Sequence, residues 1–445
     1  MKKIIALLLA VMMVVGLFAA CGGGETTPDT TPDATGDNTE VKGSVYYLNF
    51  KPEADQAWQD LAKTYTEKTG VEVKVVTAAS GDYDKTLIAQ MGKSGAPTLF
   101  NCGNASALLN WDEYCLDLTD AEFVNELTTK DFNLYNANGE LKAVGYCYES
   151  FGIIVNKALL KQAGYEITDI KDFASLKTIA EDIHARAAEL GFDAFSASGL
   201  DGSSSWRFSG HLANMPLFYQ FRDDGVTVQP ATITNKYLEN FKNIWDLYIN
   251  NSAADKATLT TSTGDASVEE FGTGKAVFYQ NGTWEFDKLT GTAEGQYGLK
   301  AEDLQMIPIY CGAEGEDKAA LCSGTENCWA VNAKADEADI KATLDFINWV
   351  VTSEEGTAMM MQQFGAIPFK KAPASTNKFV ADGNDLLANG NYAVTWAFNH
   401  TPNVDSWRAG VVTALAAYSA GTGEWAAVEQ AFVDGWAIEY QTVNG

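Results

Sequence analysis

The sequence is poor in cationic residues and very poor in histidine. Lys and Arg total 31 of 445 residues, Asp and Glu total 59, and the formal net charge is −28. Nucleic acids and anionic membrane surfaces are bound through cationic patches, so neither is expected as a partner. The three histidines, His184, His211 and His400, lie far apart in the sequence. They leave little material for a histidine-rich metal site, and we expect no metal.

Several short signatures of enzymes and redox proteins are also missing. The sequence contains no C-x-x-C pair, no H-E-x-x-H and no G-x-S-x-G. These absences disfavour a redox protein, a zinc protease and a hydrolase with a nucleophile elbow. A glycosidase stays open, because its two carboxylates need no fixed local spacing. Free thiols and disulfides both stay open for the six cysteines that follow Cys21, which are Cys102, Cys115, Cys147, Cys311, Cys322 and Cys328.

The one long apolar run lies at the N-terminus. Two lysines precede the uncharged stretch over residues 4–20, and Ala19 and Ala20 precede Cys21. A membrane span needs about 20 apolar residues, so this order of segments is typical of a secretory signal rather than of an anchor. Cys21 after two small residues resembles a bacterial lipobox. That resemblance implies cleavage before Cys21 and lipid attachment to its thiol, and a plain secreted protein is the alternative.

Residues 22–40 contain Gly, Thr, Pro and acidic residues, and none of them is large and apolar. Such a segment buries too little surface to offset the entropy cost of ordering, so it is predicted to be a flexible tether. We therefore predict a signal peptide over 1–20 and a lipidated cysteine with its tether over 21–43. The globular body is then held at the outer face of the cell membrane of a Gram-positive bacterium.

Strand and helix patterns alternate along the rest of the chain. Residues 44–50 have the composition of a strand, Trp58 and Tyr65 belong to an apolar stripe at helical spacing, and residues 71–76 alternate as a second strand. This βαβ unit implies parallel strands with a right-handed crossover. The same alternation continues along the chain, and helices dominate after residue 339. The pattern indicates an α/β protein.

Four segments, in order, resemble the extracytoplasmic sugar-binding proteins of ABC transporters, the family that includes the maltodextrin-binding protein. They are KTLIAQMGKSGAPTLF (85–100), ESFGIIVNKALLKQAG (149–164), FGTGKAVFYQNGTW (271–284) and residues 338–370, which contain FGAIPFK. Residues 407–436 are also similar to the closing helices of the family. Thr98 departs from the pattern, because the family usually has Asp there.

The resemblance implies a periplasmic-binding-protein-like α/β fold of class II. In this fold two discontinuous α/β lobes are joined by a hinge, and they close over a ligand in the cleft between them. By the same resemblance, residues 44–147 and 276–312 form lobe 1, and residues 148–275 and 313–445 form lobe 2.

A neutral sugar presents apolar C–H faces and a ring of hydroxyls, which suit aromatic rings and polar side chains respectively. The resemblance implies that Trp284 and Trp407 stack on sugar and that Glu149 contacts the ligand. Trp284 could instead anchor the helix that follows it, Trp407 could pack against its own helix, and Glu149 could form a salt bridge at the hinge.

The other candidate binding residues lie at strand ends or in a polar loop, and they are Lys51, Glu53, Asn101, Asn104, Trp206 and Arg207. Each type has a structural alternative. Lys51 and Glu53 could cap the helix that follows them, and the asparagines could form turns. Trp206 could cover the local core.

These observations lead to one hypothesis with several rivals. The protein is predicted to be a lipid-anchored, monomeric substrate-binding component of an ABC importer that captures a mono- or oligosaccharide and delivers it to the permease transmembrane subunits. It is predicted to be no enzyme, to need no cofactor, and to contact the membrane only through its lipid. The rivals are the same fold with a polyamine or peptide ligand, an extracellular carbohydrate-active hydrolase, and a sensor partner of a membrane kinase.

Overall fold

The computed structural model describes residues 42–79, 81–130, 132–226 and 228–444, all within the unit Lys42–Gly445. The predicted signal peptide, the predicted lipidation at Cys21 and residues 22–41 of the predicted tether lie outside the described residues. Among the helices of the described ranges, none has the length and apolar character needed to cross a membrane.

The described residues form twelve strands in two six-stranded sheets. The strands are β1 (Val45–Asn49), β2 (Val73–Thr77), β3 (Leu99–Asn101), β4 (Leu134–Tyr135), β5 (Leu141–Gly145), β6 (Glu149–Asn156), β7 (Asp193–Phe195), β8 (Ala276–Gly282), β9 (Leu304–Ile307), β10 (Ala319–Gly324), β11 (Cys328–Val331) and β12 (Tyr392–Thr395). The first sheet has the order β2-β1-β3-β11-β5-β4. The second has the order β12-β10-β6-β8-β7, with β9 also paired to β6.

Helices pack on both sheets. The α-helices of the described ranges are α1 (Asp55–Thr69), α2 (Tyr83–Met91), α3 (Ala105–Trp111), α4 (Lys157–Gln162), α5 (Phe173–Ala185), α6 (Ala187–Leu190), α7 (Ala213–Asp224), α8 (Leu238–Asn250), α9 (Gly264–Gly272), α10 (Phe286–Thr290), α11 (Glu337–Thr352), α12 (Glu354–Phe364), α13 (Lys378–Ala388), α14 (Val404–Ser419) and α15 (Trp425–Asn444). A π-helix over Arg207–Leu212 runs directly into α7, where the sequence predicts a polar loop.

The predicted βαβ unit is present at the start of the described chain. β1 lies between β2 and β3 and is parallel to both. The connecting helix α1 buries a stripe that includes Trp58 and Tyr65. It ends at Gly70, whose φ of 71° is the left-handed conformation that glycine adopts without strain. These features confirm the predicted unit and place the end of β1 beside the ends of β2 and β3.

The pairing of the strands corrects the predicted division into lobes. The prediction that residues 276–312 belong to lobe 1 is wrong, because β8 and β9 both pair with β6 in the second sheet. The prediction that all of 313–445 belongs to lobe 2 is also wrong, because β11 pairs with β3 and β5. All seven residues of β8 are buried, so this strand needs neighbours on both edges, but its sequence does not identify them. From here, the first lobe is the first sheet with its helices, and the second lobe is the second sheet with its helices.

The described chain passes between the lobes three times, at residues 146–148, 325–327 and 370–377, which we call the hinge segments. Two backbone hydrogen bonds connect them or the residues next to them. The amide of Tyr146 donates to the carbonyl of Asn327 at 2.9 Å, and the amide of Tyr148 donates to the carbonyl of Ala366 at 3.1 Å. The first two hinge segments therefore run side by side, and the first also contacts the chain a few residues before the third.

Candidate functional site

A buried polar cluster joins the two lobes beside the hinge segments. Lys51 follows β1 in the first lobe, Glu149 begins β6 in the second, and Asn327 precedes β11. The Lys51 Nζ atom lies 3.0 and 2.9 Å from the two carboxylate oxygens of Glu149. The Asn327 Nδ2 atom donates to Oε2 of the same carboxylate at 2.7 Å. Both oxygens of Glu149 are thus occupied by protein groups.

The charge state of this cluster follows from its surroundings. Burial by itself lowers the pKa of Lys51, but the carboxylates of Glu149 and Glu53 outweigh burial, and the pKa of Lys51 lies above its ordinary value. Lys51 is therefore cationic, and Glu149 is only 3% exposed. Of the two roles open for Glu149, this geometry favours the hinge salt bridge. Ligand contact by Glu149 and by the exposed Glu53, 3.6 Å from Lys51 Nζ, stays a prediction.

An aromatic cluster lies next to this ion pair. The ring centroid of Trp284 is 5.9 Å from that of Trp206 and 5.6 Å from that of His211. The His211 ring stacks face to face on Phe151, with centroids 3.9 Å apart and an interplanar angle of 8°. The Lys51 Nζ atom lies 5.4 Å from the Trp284 ring centroid, within cation–π range. The structure thus brings together two of the predicted tryptophans and a lysine from the opposite lobe.

The position of Trp284 depends on the glycine two residues before it. β8 ends at Gly282, and a Cβ atom built there would lie 2.2 Å from the Trp284 ring. Such a contact is impossible, so only glycine allows the indole to fold back over the end of the strand. The Gly-x-Trp pattern in the sequence therefore has a steric cause, and it leaves the Trp284 ring partly exposed beside the cleft.

Two of the predicted ligand residues lie in the interior of the second lobe. The Trp407 indole is 2% exposed, packs edge to face on Phe432, and donates its Nε1–H to the Phe432 carbonyl at 2.9 Å. The predicted stacking role of Trp407 is therefore wrong, because α15 covers its ring. Arg207 is 1% exposed and donates to the carbonyls of Gln280 and Ser198. It supports the loop and strand behind Trp206 and does not face a ligand.

The two asparagines act in local structure. The Asn101 side-chain oxygen accepts a hydrogen bond from the amide of Cys328 at 2.9 Å and so links β3 to β11. The Asn104 side chain accepts from the amide of Ala107 at 2.8 Å and caps the N-terminus of α3. The turn-forming alternative thus accounts for both residues, and a ligand contact by either stays a prediction.

The site contains residues that the sequence did not single out, namely His211, Glu285 and Asn327. The side chain of Glu285 accepts from Asn281 Nδ2 at 3.2 Å through Oε1, while its Oε2 atom is buried without a hydrogen-bond partner. Burial raises the pKa of Glu285 to about 7, although Lys288 and Arg207 oppose the shift. The only sequence signal for Glu285 is its place directly after Trp284.

This shift predicts a pH-dependent stability. The pKa of Glu285 rises from 4.5 to about 7 on folding, so the folded state holds the proton more tightly than the unfolded state. Its burial costs nothing below pH 4.5 and costs most above pH 7. Glu285→Gln keeps the neutral form, so we expect it to match the wild type to within about 1 kcal/mol at pH 5 and to exceed its free energy of unfolding by about 3 kcal/mol at pH 8.

Urea unfolding of both proteins at the two pH values measures this difference. The matched control is Glu294→Gln, which changes an exposed glutamate and should leave the difference near zero. Equal stabilities of wild type and Glu285→Gln at pH 8 would contradict the prediction.

The sequence leaves free thiols and disulfides both open for the six cysteines after Cys21. In the described chain all six are buried free thiols. The described residues also contain no group of three or more His, Cys, Asp or Glu side chains that could hold a metal ion.

Two α/β lobes with a hinge of three segments and an aromatic and charged cleft define a solute-binding protein of the class II periplasmic-binding-protein-like fold. A family model described as "Bacterial extracellular solute-binding protein" matches residues 60–388. The chain belongs to this family.

Solved structures support the fold assignment. The chain is similar to the solute-binding protein RafE in complex with raffinose, with 15% identity, a TM-score of 0.71, and coverage of 89% of this chain and 99% of RafE. A Bacillus licheniformis sugar transporter protein in complex with stachyose gives 16% identity, a TM-score of 0.66, and coverage of 90% and 100%. A chitin oligosaccharide binding protein gives 16% identity, a TM-score of 0.68, and coverage of 90% of this chain and 99% of that protein. No curated protein matches the sequence.

Proposed function

We propose that this protein captures a mono- or oligosaccharide in the interlobe cleft and delivers it to the permease of an ABC importer. The proposal includes a signal peptide over residues 1–20 and a lipid on Cys21 that holds the protein at the outer face of the cell membrane. Family membership supports a substrate-binding role. The sugar-bound structural relatives of the same fold support, by analogy, a carbohydrate ligand.

The observation that carries the proposal is the arrangement of Trp206 and Trp284 at the cleft. Two partly exposed indoles 5.9 Å apart offer apolar surfaces of the size that a sugar ring covers. Lys51 adds a charged hydrogen-bond donor from the opposite lobe, 5.4 Å from the Trp284 ring. A ligand that contacts both groups connects the two lobes, and its binding energy then favours the closed arrangement.

Removal of one indole tests the proposal. We expect Trp284→Ala to weaken saccharide binding by about 2 kcal/mol, roughly thirtyfold, because it removes a buried aromatic contact. Binding is measured by isothermal titration calorimetry with raffinose, stachyose and a chitin oligosaccharide, after a thermal-shift screen of the wild type over the same sugars and a polyamine. A ligand that binds the folded protein raises its melting temperature.

The matched control is Trp349→Ala in α11. Trp349 is also partly buried, but it packs on Tyr65 in the first lobe, with ring centroids 5.1 Å apart. Its loss should lower the melting temperature without changing the affinity for sugar. A thermal shift with the polyamine and none with any saccharide would reject the carbohydrate assignment. Release of shorter sugars from an oligosaccharide would favour the hydrolase.

A further inference from the structure

His211 occupies the centre of the aromatic cluster. Its ring is stacked on Phe151 at 3.9 Å, lies 4.9 Å from Trp206 at an interplanar angle of 67°, and lies 5.6 Å from Trp284. The side chain sits in the π-helix, a rare geometry that often occurs at functional sites. Its surroundings hold the ring in one orientation against both indoles.

One ring nitrogen of His211 is occupied by the protein. The Nδ1 atom lies 2.7 Å from Nε2 of Gln280, a residue that is fully buried on β8. With the Gln280 amide oriented so that its nitrogen faces the ring, Nδ1 accepts this hydrogen bond, and Gln280 Oε1 is buried without a partner. In the neutral imidazole the hydrogen then resides on Nε2. Within the described chain, no hydrogen bond from His211 other than the one with Gln280 is found.

The electrostatic surroundings keep this imidazole neutral. Burial and the nearby cations hold the pKa of His211 well below its ordinary value, with Arg207, Arg408 and Lys51 facing it from the same π-helix, from α14 and from the first lobe respectively. The Gln280 hydrogen bond opposes the shift but does not reverse it. His211 therefore offers a donor of fixed direction that carries no charge at neutral pH.

We infer that His211 is a specificity-determining ligand residue, whose Nε2–H donates a hydrogen bond to an acceptor oxygen of the sugar unit that lies against Trp206 and Trp284. The inference rests on the proposed function and deepens it. The two indoles bind the apolar face of the unit without regard to its hydroxyl pattern, and His211 requires an oxygen at one position. Gln280 is a positioning residue, because it fixes which nitrogen carries the hydrogen.

Two substitutions separate the hydrogen bond from the ring contact. His211→Phe keeps an aromatic ring against Phe151 and the indoles but removes the donor. We expect it to weaken binding of the best saccharide among raffinose, stachyose and a chitin oligosaccharide about tenfold, the effect of one lost hydrogen bond. His211→Gln places an amide donor near the position of Nε2 and should recover most of that loss. Calorimetric titration gives both affinities, and the melting temperatures without ligand show whether each variant is folded.

The wild-type protein provides a measurement that needs no variant. It contains three histidines, so a ¹⁵N spectrum of the imidazoles can resolve each ring, with His184 and His400 as internal references. We expect His211 to show the Nε2–H tautomer from pH 6 to 8, and only its Nε2 signal to shift on addition of the sugar. Unchanged sugar affinity in His211→Phe would overturn this inference but not the proposed function. Sugar binding to the wild type without a shift of the His211 Nε2 signal would do the same. Failure of every saccharide to bind the wild type overturns the proposed function as well.

Discussion

Glu149→Ala is expected to lower the free energy of unfolding by about 3–5 kcal/mol, the usual effect of removing one partner from a buried ion pair. The cause is the lysine left behind. Lys51 Nζ lies 2.9 Å from Glu149 Oε2, and its side chain is only 13% exposed. Without the carboxylate, a buried cation loses its nearest counter-charge, and the Asn327 amide loses its acceptor. Urea unfolding measures the loss.

Two controls define this result. Glu67→Ala breaks the exposed pair of Lys63 and Glu67, whose side chains are 77% and 68% exposed, and should cost less than about 0.5 kcal/mol. The double variant Lys51→Met with Glu149→Leu removes both charges and should recover most of the stability. A loss below about 1 kcal/mol in Glu149→Ala would show that the pair is not a structural element of the hinge.

The second large loss of stability is expected on substitution of Glu316, which has a structural role outside the cleft. This carboxylate is 4% exposed and accepts four backbone hydrogen bonds. Three come from the amides of Cys311, Gly312 and Ala313, and the fourth from Phe173 at the start of α5, at 2.8 Å. Glu316→Ala leaves these donors without their acceptor, so we expect a loss of about 3 kcal/mol in the free energy of unfolding.

The neighbouring Glu314 provides the control for Glu316, because its side chain is exposed and in the same loop. Glu314→Ala should change the free energy of unfolding by less than about 0.5 kcal/mol. Saccharide affinity should be the same in both variants, since neither residue belongs to the cleft. A stable Glu316→Ala protein would mean that solvent replaces the carboxylate at the four amides.

Local sequence patterns predicted individual elements well. The apolar stripe of α1 with its terminal Gly70, the alternation of β2, and the Gly-x-Trp segment after β8 each follow from interactions within a few residues. These patterns describe what a segment buries and how it ends. They do not describe its partner, which is why the pairing of β8 with β6 instead of the first sheet was outside their reach.

The same limit explains the site residues. A short motif marks Trp284 in the sequence and a polar segment marks Trp206, and the structure brings the two rings together; their contact with a ligand stays a prediction. No sequence pattern near Trp407 shows whether its ring is exposed or buried. The ring is buried by α15, which begins more than fifteen residues further along the chain. The sequence does not mark His211 because its role depends on Phe151, Trp284 and Gln280, which lie in distant segments.

The three hinge segments limit how the protein can move. A single connection would let one lobe rotate freely about the other in any direction. Three connections resist twisting of one lobe against the other more than one would, and the hydrogen bond from the Tyr146 amide to the Asn327 carbonyl joins two of them. We therefore expect the two lobes to move relative to each other in fewer directions than two lobes joined by one connection.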